Sequence, residues 1–124
     1  MVTTERCRVV VADDVAEVRE LLSDALEIAG GYTVVGAAAD GREAVELVGR
    51  LRPNVAVVDL FMPVMDGLEA IFHLRAVSLT TRIVVLSGFG TEAVRAQAIA
   101  AGADAFIDKV ASIREIVGTI ARVA

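Results

Sequence analysis

Five polar residues lie where apolar runs of the chain end, and their side chains are of types that can do chemistry. They are Asp13, Asp14, Asp59, Ser87 and Lys109, which follow the apolar segments 9–12, 55–58, 83–86 and 106–107. Three carboxylates could hold a divalent cation and present a nucleophile, while a hydroxyl and an ammonium could grip a phosphoryl group. That chemistry requires the four segment ends to meet in one crevice.

The apolar pattern alternates between strand-like runs and helix-like stripes along the chain. Strands are predicted at residues 8–12, 33–38, 54–58, 82–86 and 105–107, and helices at residues 15–29, 42–51, 67–77, 92–101 and 113–123. Consecutive βα units with short loops predict a three-layer α/β fold, flavodoxin-like (βα)5, with a five-stranded parallel sheet in the order 2-1-3-4-5. The carboxyl ends of strands one and three then flank the crevice, and Asp13, Asp14 and Asp59 fall there.

Helix ends carry recognisable capping chemistry. Four pairs have capping-box spacing at predicted helix starts, namely Asp14/Glu17, Asp40/Glu43, Asp66/Glu69 and Ser112/Glu115. The stop signals are Gly30-Gly31, Pro53 and Gly102. In the first helix the predicted inner stripe is Val18, Leu21, Leu22, Ala25, Leu26 and Ile28.

Composition narrows the class of protein. The 124 residues fit one domain, 1–124, and the net charge of −5 without any basic run argues against direct contact with nucleic acid. No apolar stretch approaches the ~20 residues of a membrane helix, and the single Cys7 excludes an internal disulfide. We therefore expect a cytoplasmic domain without membrane contact.

The three carboxylates of Asp13, Asp14 and Asp59 favour the binding of a metal ion. Two unit charges about 4 Å apart repel by ~4 kcal/mol at an effective dielectric near 20. Three carboxylates in one pocket therefore need a bound cation, or a proton on one of them, to offset the repulsion. Oxygen ligands suit Mg²⁺ or Mn²⁺. An alternative is that Asp13 and Asp14 only cap the first helix, but capping does not explain Asp59.

Asp59 is the candidate nucleophile toward phosphorus, with Lys109 as its ion-pair partner and Ser87 as a second phosphate contact. The alternatives remain open from the residues alone. Asp59 could be only a metal ligand or a solvated strand end, and Lys109 could be an ordinary surface lysine. The matched set at four segment ends favours the chemical interpretation.

Several motifs resemble the receiver domain of bacterial two-component response regulators over residues 8–123. They are Val-Val-Ala-Asp13-Asp14, Val-Val-Asp59-Leu-Phe-Met-Pro63-Val-Met-Asp-Gly67, Leu86-Ser87-Gly88 and Gly102-Ala-Asp-Ala-Phe106-Ile-Asp-Lys109. Residues 35–44 are similar to the subgroup whose receivers precede a LuxR-type helix-turn-helix DNA-binding domain.

The resemblance implies a role for each matching residue. Asp59 would accept a phosphoryl group from a histidine kinase, and Mg²⁺ would be held by Asp13, Asp14, Asp59 and the backbone carbonyl of Phe61. Ser87 and Lys109 would bind the phosphoryl oxygens. Ser87 and Phe106 would switch a surface of the fourth helix, fifth strand and fifth helix, with a phosphorylation-dependent homodimer as one outcome. Output would be transcription through a DNA-binding domain absent from this chain.

Two features depart from the family pattern. Val110 follows Lys109 where many receivers have proline, so we expect a trans bond there. Phe61 and Phe89 are bulky beside the site, and the hypothesis is that their rings limit attacking water and lengthen the life of the acyl phosphate.

The residues fit other functions less well. An aspartyl-nucleophile phosphatase usually has a second Asp two residues after the first, where this chain has Phe61. A flavin- or nucleotide-binding domain would need a glycine- or hydroxyl-rich loop where Asp13-Asp14 stand. A stand-alone receiver acting through protein contacts, or a receiver-like domain that is never phosphorylated, stays open. The expectation is a signalling domain that catalyses only its own phosphorylation and dephosphorylation.

Overall fold

A computed structural model describes residues 6–65, 67–88, 91–109 and 111–124 of the chain. Strands and helices alternate along it. In chain order the elements are β1 (Cys7–Ala12), α1 (Ala16–Ala29), β2 (Tyr32–Ala38), α2 (Gly41–Leu51), β3 (Val55–Asp59), α3 (Gly67–Val77), β4 (Arg82–Ser87), α4 (Glu92–Ala101), β5 (Ala105–Asp108) and α5 (Ile113–Val123).

The five strands form one parallel sheet in the order β2-β1-β3-β4-β5. This confirms the predicted fold class and strand order. The neighbours of β3 are β1 and β4, so the ends of these strands lie side by side at the carboxyl edge of the sheet. Among the described residues, no helix has both the length and the apolar character needed to cross a membrane.

The two sides of the sheet bury separate apolar clusters because side chains alternate along each strand. Val9 and Val11 pack with Leu26 of α1 and with α5, whereas Val10 and Ala12 pack against α2, α3 and α4. A strand that is covered on both faces needs apolar side chains at every position, which explains the continuous apolar run from Val9 to Ala12.

The strands reach further than predicted. β3 includes Asp59 and β4 includes Ser87, because backbone pairing continues, with Leu60 N donating to Leu86 O at 3.1 Å. The backbone of both residues is therefore fixed by strand pairing in the sheet.

Of the four predicted capping boxes, two are confirmed, one is wrong and one is not tested. Asp40 accepts from Glu43 N at 2.8 Å and Ser112 accepts from Glu115 N at 3.2 Å, which confirms two of them. The Asp14/Glu17 box is wrong, because α1 has Val15 as its N-cap residue and no side-chain capping bond. The Asp66/Glu69 box lies outside the described residues. Gly30 and Gly102 end α1 and α4 with φ of 81° and 123°, as predicted.

The predicted inner stripe of α1 is partly wrong. Leu22 and Leu26 are buried, but Leu21 and Ile28 are 54% and 86% exposed. An outward-facing strip of apolar surface therefore runs along α1.

Candidate functional site

Asp13, Asp59 and Lys109 meet at the carboxyl edge of the sheet. The Lys109 Nζ atom lies 3.0 Å from Asp13 Oδ2 and 3.0 Å from Asp59 Oδ2. The carboxylates are nearly inaccessible, at 0% and 3% exposure, whereas the lysine side chain is 28% exposed. The convergence predicted from the segment ends is present in the structure.

The Asp13 side chain and backbone are both fixed. Asp13 Oδ1 accepts from Val15 N at 2.9 Å, and Asp13 N donates to Ala38 O at 3.0 Å. In addition, Arg19 Nη1 donates to the Asp13 carbonyl at 2.7 Å. Arg19 is not among the residues predicted for the site, and its only signal in the sequence is a cation on the first helix within two turns of the acidic pair.

Asp59 is held by the turn that follows it. Its Oδ1 atom accepts from Phe61 N at 3.2 Å. The same turn passes against Gly67 so closely that a Cβ on Gly67 would lie 2.6 Å from Leu60 Cα. The glycine at the start of α3 therefore lets the chain leave β3 tightly, and the Asp59 carboxylate stays at the sheet edge.

A strained turn lies in the same loop. Val64 has a φ of 71°, and Met65 N donates to Pro63 O at 2.8 Å, which makes a three-residue γ-turn. A β-branched residue rarely adopts a positive φ, so this conformation stores strain next to the site.

Burial, neighbouring charges and hydrogen bonds together set the pKa values of Asp59 and Lys109, and some of these effects oppose each other. Burial raises the pKa of the Asp59 carboxyl, the hydrogen bonds from Lys109 and Phe61 N lower it, and the Asp13 charge raises it, so the net pKa is raised. Burial lowers the pKa of Lys109, but the contacts with Asp13 and Asp59 outweigh burial and raise the net pKa above its ordinary value. Lys109 is therefore a permanent cation at neutral pH beside a carboxylate that resists ionisation.

The donor set fits a hard divalent cation. Asp13, Asp14 and Asp59 each offer a carboxylate oxygen, and these atoms lie within 4.8 Å of one another. Asp13 Oδ2 is buried, and its 3.0 Å contact with Lys109 pairs the charges without the angle of a hydrogen bond. Asp14 is exposed and leaves the cluster open on one side. Such an all-oxygen cluster with room for water suits Mg²⁺ or Mn²⁺.

Ser87 and Phe106 are placed on the strands beside Asp59. Ser87 is fully buried at the end of β4, and its carbonyl accepts from Lys109 N at 2.9 Å, which ties the lysine backbone to β4. Phe106 on β5 is half-buried against the core, with the Arg95 guanidinium carbon 6.0 Å from its ring centre. Phe61 is 52% exposed. Phe89 and Val110 lie outside the described residues, as does the expected trans bond before Val110.

The raised pKa of Asp59 gives a prediction for stability against pH. A carboxyl whose pKa is higher in the folded state favours folding when protonated, so its contribution falls as pH rises from its unfolded pKa, about 4, through the folded one. Asp59→Asn should therefore be more stable than the unsubstituted protein at pH 7 without metal, by about 1–3 kcal/mol, which is the cost of one poorly compensated buried polar group.

Denaturant melts of both proteins from pH 3.5 to 8 would measure the difference. It should be small at the acid end, grow with pH and shrink when Mg²⁺ is added. If Asp59→Asn and the unsubstituted protein were equally stable at every pH, the ionised Asp59 carboxylate would not destabilise the fold, and the prediction would be wrong.

The fold and site together define a class of protein. The family model described as the response regulator receiver domain matches residues 9–121, and the chain belongs to this family. It is therefore a signal-transduction module of two-component systems.

Two relatives show which kinds of receiver protein the chain resembles in sequence. The chain is 41% identical over 102 residues to the chemotaxis protein CheY of Thermotoga maritima, covering 82% of this chain and 84% of CheY. It is 39% identical over 116 residues to NarL of Mycobacterium tuberculosis, a transcriptional regulatory protein by name, covering 94% of this chain and 54% of NarL. The chain thus spans about half the length of that relative.

Solved structures of receivers have the same fold as this chain. The signal receiver domain of NarL from M. tuberculosis superposes with a TM-score of 0.90 at 38% identity and 95% coverage of both chains. A LuxR-family two-component response regulator from Aurantimonas gives a TM-score of 0.90 at 32% identity, covering 95% of this chain and 84% of that one. The resemblance to receivers, including those of the LuxR family, is confirmed.

Proposed function

We propose that residues 1–124 form one receiver domain that accepts a phosphoryl group on Asp59. The observation that carries the proposal is the triangle in which one ammonium lies 3.0 Å from the oxygens of two buried carboxylates. Of these carboxylates, Asp59 stands at the end of the central strand β3 with its backbone fixed by sheet pairing.

The chain contributes positioning and charge to the transfer. A carboxylate oxygen of Asp59 attacks phosphorus while the bond between phosphorus and the donor imidazole nitrogen breaks, and the imidazole leaves with that electron pair. Lys109 is close enough to follow the new phosphoryl oxygens, and Ser87 offers a hydroxyl from the neighbouring strand. The product is an acyl phosphate on Asp59, and no other substrate is turned over.

Asp13, Asp14, Asp59 and the Phe61 carbonyl would hold the Mg²⁺ or Mn²⁺ ion. Bound there, the ion would neutralise carboxylate charge and polarise the phosphoryl group. The buried Asp13 Oδ2 atom, which has only an ion-pair contact, is the group most in need of it. Val15 N and Arg19 keep the Asp13 side chain and carbonyl in place for this role.

Phosphorylation would act through Ser87 and Phe106. A phosphoryl group on Asp59 attracts the Ser87 hydroxyl, and the half-buried Phe106 ring moves into the space that opens beside it. The ring now lies under Arg95 of α4, so its movement would change the surface formed by α4, β5 and α5. The phosphoryl group biases this equilibrium only by its different contacts in the two states.

The proposed partners follow from the family. A sensor histidine kinase supplies the phosphoryl group in the cytoplasm, and similarity to NarL and to a LuxR-family regulator supports transcription as the output. DNA contact would then belong to a further domain, and phosphorylation would promote a homodimer. A second candidate is a stand-alone receiver that works by protein contacts, and the similarity to the chemotaxis protein CheY of T. maritima supports it.

Labelling with a small phosphodonor tests the function. Incubation with radiolabelled acetyl phosphate should label the protein only when Mg²⁺ is present, and Asp59→Asn should reduce the label to background. Asp24→Asn is a matched control because Asp24 is an exposed residue on α1. Equal labelling of Asp59→Asn, or labelling unaffected by a chelator, would refute the proposal.

Phe61 supplies a further prediction. Its ring is half-exposed beside the nucleophile, so Phe61→Asn should admit water and shorten the phosphate half-life by about tenfold, equal to about 1.4 kcal/mol of barrier. The decay of labelled protein after donor removal measures this, with Phe72→Asn, an exposed phenylalanine on α3, as the control. An unchanged half-life in Phe61→Asn would reject shielding by this ring.

A further inference from the structure

A polar groove of about 580 Å³ lies at the amino edge of the sheet, opposite the edge that carries Asp59. Its lining residues, which lie in or just before β1, β2 and β3, are Arg6, Arg8, Thr33, Val35 and Asn54. Arg8 pairs with Thr33 across the two strands, and Arg8 Nη1 donates to Leu51 O at the end of α2. The groove therefore lies beside the end of α2 and is separate from the site described above.

Arginine is concentrated at this amino edge of the molecule. The strand starts and helix ends that form it are residues 6–8, 27–33, 50–55, 75–83, 101–105 and 122–124. Their charged residues are the arginines Arg6, Arg8, Arg50, Arg52, Arg75, Arg82 and Arg122 and the acidic residues Glu27 and Asp104. Because the whole chain has a net charge of −5, the amino edge is a positively charged surface on an acidic protein.

Ordinary structural roles explain part of this arginine cluster. A cation in the last turn of a helix offsets the partial negative charge of the helix end, and this role accounts for Arg50, Arg75 and Arg122. Arg82 lies 3.7 Å from Asp104 and is paired with it. Arg6 and Arg8 stand at the start of a strand, and neither forms an ion pair with another residue that the structure describes.

Backbone carbonyls hold both of these guanidinium groups without neutralising them. Arg8 Nη1 donates to Leu51 O at 2.8 Å and to Arg52 O at 3.3 Å. Arg6 Nη1 donates to Tyr32 O at 3.3 Å. A carbonyl carries no net charge, so each guanidinium is fixed in position and keeps its unit positive charge. Each also keeps most of its five N–H donors for another acceptor.

The neutral side chains of the groove add further donors. Asn54 Oδ1 accepts from Arg8 N at 2.8 Å, so the amide nitrogen of Asn54 is the end that remains for a ligand. Thr33 contributes a hydroxyl from the neighbouring strand. No acidic side chain is among the described residues that line the groove. The groove thus combines two guanidinium groups, an amide and a hydroxyl, with no carboxylate to repel an anion.

We propose that this groove, the Arg6/Arg8 groove, binds a small ligand through a phosphate group. A phosphate presents three strong acceptor oxygens, and a guanidinium binds two of them in parallel. Four donor groups therefore match a phosphate better than the two oxygens of a carboxylate. A long nucleic acid is a poor occupant, since a chain of net charge −5 repels phosphates that lie beyond the groove. This binding goes beyond the proposed function because it does not involve Asp59.

Titration with inorganic pyrophosphate, followed by ¹H–¹⁵N NMR spectra of the backbone amides, tests the proposal. Mg²⁺ is left out so that no metal draws the anion to the acidic site, and sodium chloride keeps the ionic strength constant. The amide signals of Arg8, Thr33 and Asn54 should shift and saturate, with a dissociation constant of about 1 mM or below. The amide signals around Asp59 should stay in place.

Matched variants separate the groove from general electrostatic attraction. Arg6→Gln should weaken pyrophosphate binding about tenfold, because it removes a charged donor, and Thr33→Val should weaken it less. Arg50→Gln is the control, since it removes the same charge from an exposed residue of the same edge that does not line the groove. It should change the dissociation constant by less than about twofold. Circular dichroism should show that all three variants remain folded.

Three results would overturn the proposal. The first is a set of shifts that never saturate or that sodium chloride alone reproduces. The second is equal weakening by Arg6→Gln and Arg50→Gln, which would show attraction to the whole edge and no defined site. The third is a DNA duplex that binds more tightly than pyrophosphate in the same salt, which would make the occupant a nucleic acid.

Discussion

Gly67→Ala is expected to lower the free energy of unfolding by about 3 kcal/mol, at the upper end of what overpacking costs. An alanine Cβ would lie 2.6 Å from both Leu60 Cα and Leu60 C, and these are backbone atoms that cannot rotate away. Relief requires the segment after β3 to shift. Because Leu60 directly follows Asp59, the shift should also misplace the nucleophile, and labelling by acetyl phosphate should fall at least tenfold.

Gly49→Ala is the matched control for this substitution. Gly49 lies inside α2, and a Cβ there would meet Val77 at 3.5 Å, an ordinary contact. Alanine favours the helix over glycine, so Gly49→Ala should raise stability by about 0.5–1 kcal/mol and leave labelling unchanged. Urea melts and labelling of both variants make the comparison. Similar effects at the two positions would show that the chain does not need the close approach of Gly67 to Leu60.

Lys109→Met is expected to destabilise the metal-free protein at pH 7 by about 2–3 kcal/mol. Removing one partner of a buried ion pair costs about 3–5 kcal/mol, and the 28% exposure of the lysine side chain reduces that figure. Two buried carboxylates, Asp13 and Asp59, would lose their shared cation. Methionine keeps most of the apolar part of the side chain and lacks the terminal ammonium, so the loss reports mainly the charge.

Mg²⁺ and acid should both rescue the variant. Without the ammonium, added Mg²⁺ should raise the melting temperature of Lys109→Met more than that of the unsubstituted protein. Lower pH should also narrow the gap, because protonation of Asp59 removes the unpaired charge. Asp59→Asn should therefore stabilise the Lys109→Met protein by more than it stabilises the unsubstituted protein, because the two side chains are in contact. A Lys109→Met protein as stable as the original without metal would show that Lys109 is not the counterion.

Much of the site was predictable because two rules act together. Apolar runs fix where strands lie, and parallel strands with right-handed crossovers bring their carboxyl ends to one edge. Asp13, Asp59 and Lys109 therefore had to converge once the runs before them were recognised as strands. The distances of 3.0 Å are the structural expression of that convergence.

The details around the site were less predictable because they depend on competition between neighbours. Asp14 has the spacing of a helix cap, but Asp13 Oδ1 takes the Val15 N–H, and the helix begins at Ala16 without a side-chain cap. The positive φ of Val64 contradicts the preference of a β-branched residue, so no local rule predicts it.

Long contacts and exposed apolar faces also escape a pattern analysis. Arg19 reaches the Asp13 carbonyl across the first turns of α1, and nothing in spacing selects that acceptor. The periodicity of α1 placed Leu21 and Ile28 in the inner stripe, but a helix resting on a sheet buries a narrower face than the pattern offers.

Chemical mapping of the modified residue tests the central claim most directly. Protein phosphorylated with acetyl phosphate and Mg²⁺ can be reduced with borohydride, which converts an aspartyl phosphate to homoserine, and then sequenced by peptide mass spectrometry. We expect conversion at Asp59 and at no other acidic residue, and no conversion when Mg²⁺ is omitted. Conversion at Asp13 or Asp14, or a folded protein that shows none with donor and metal present, would contradict it.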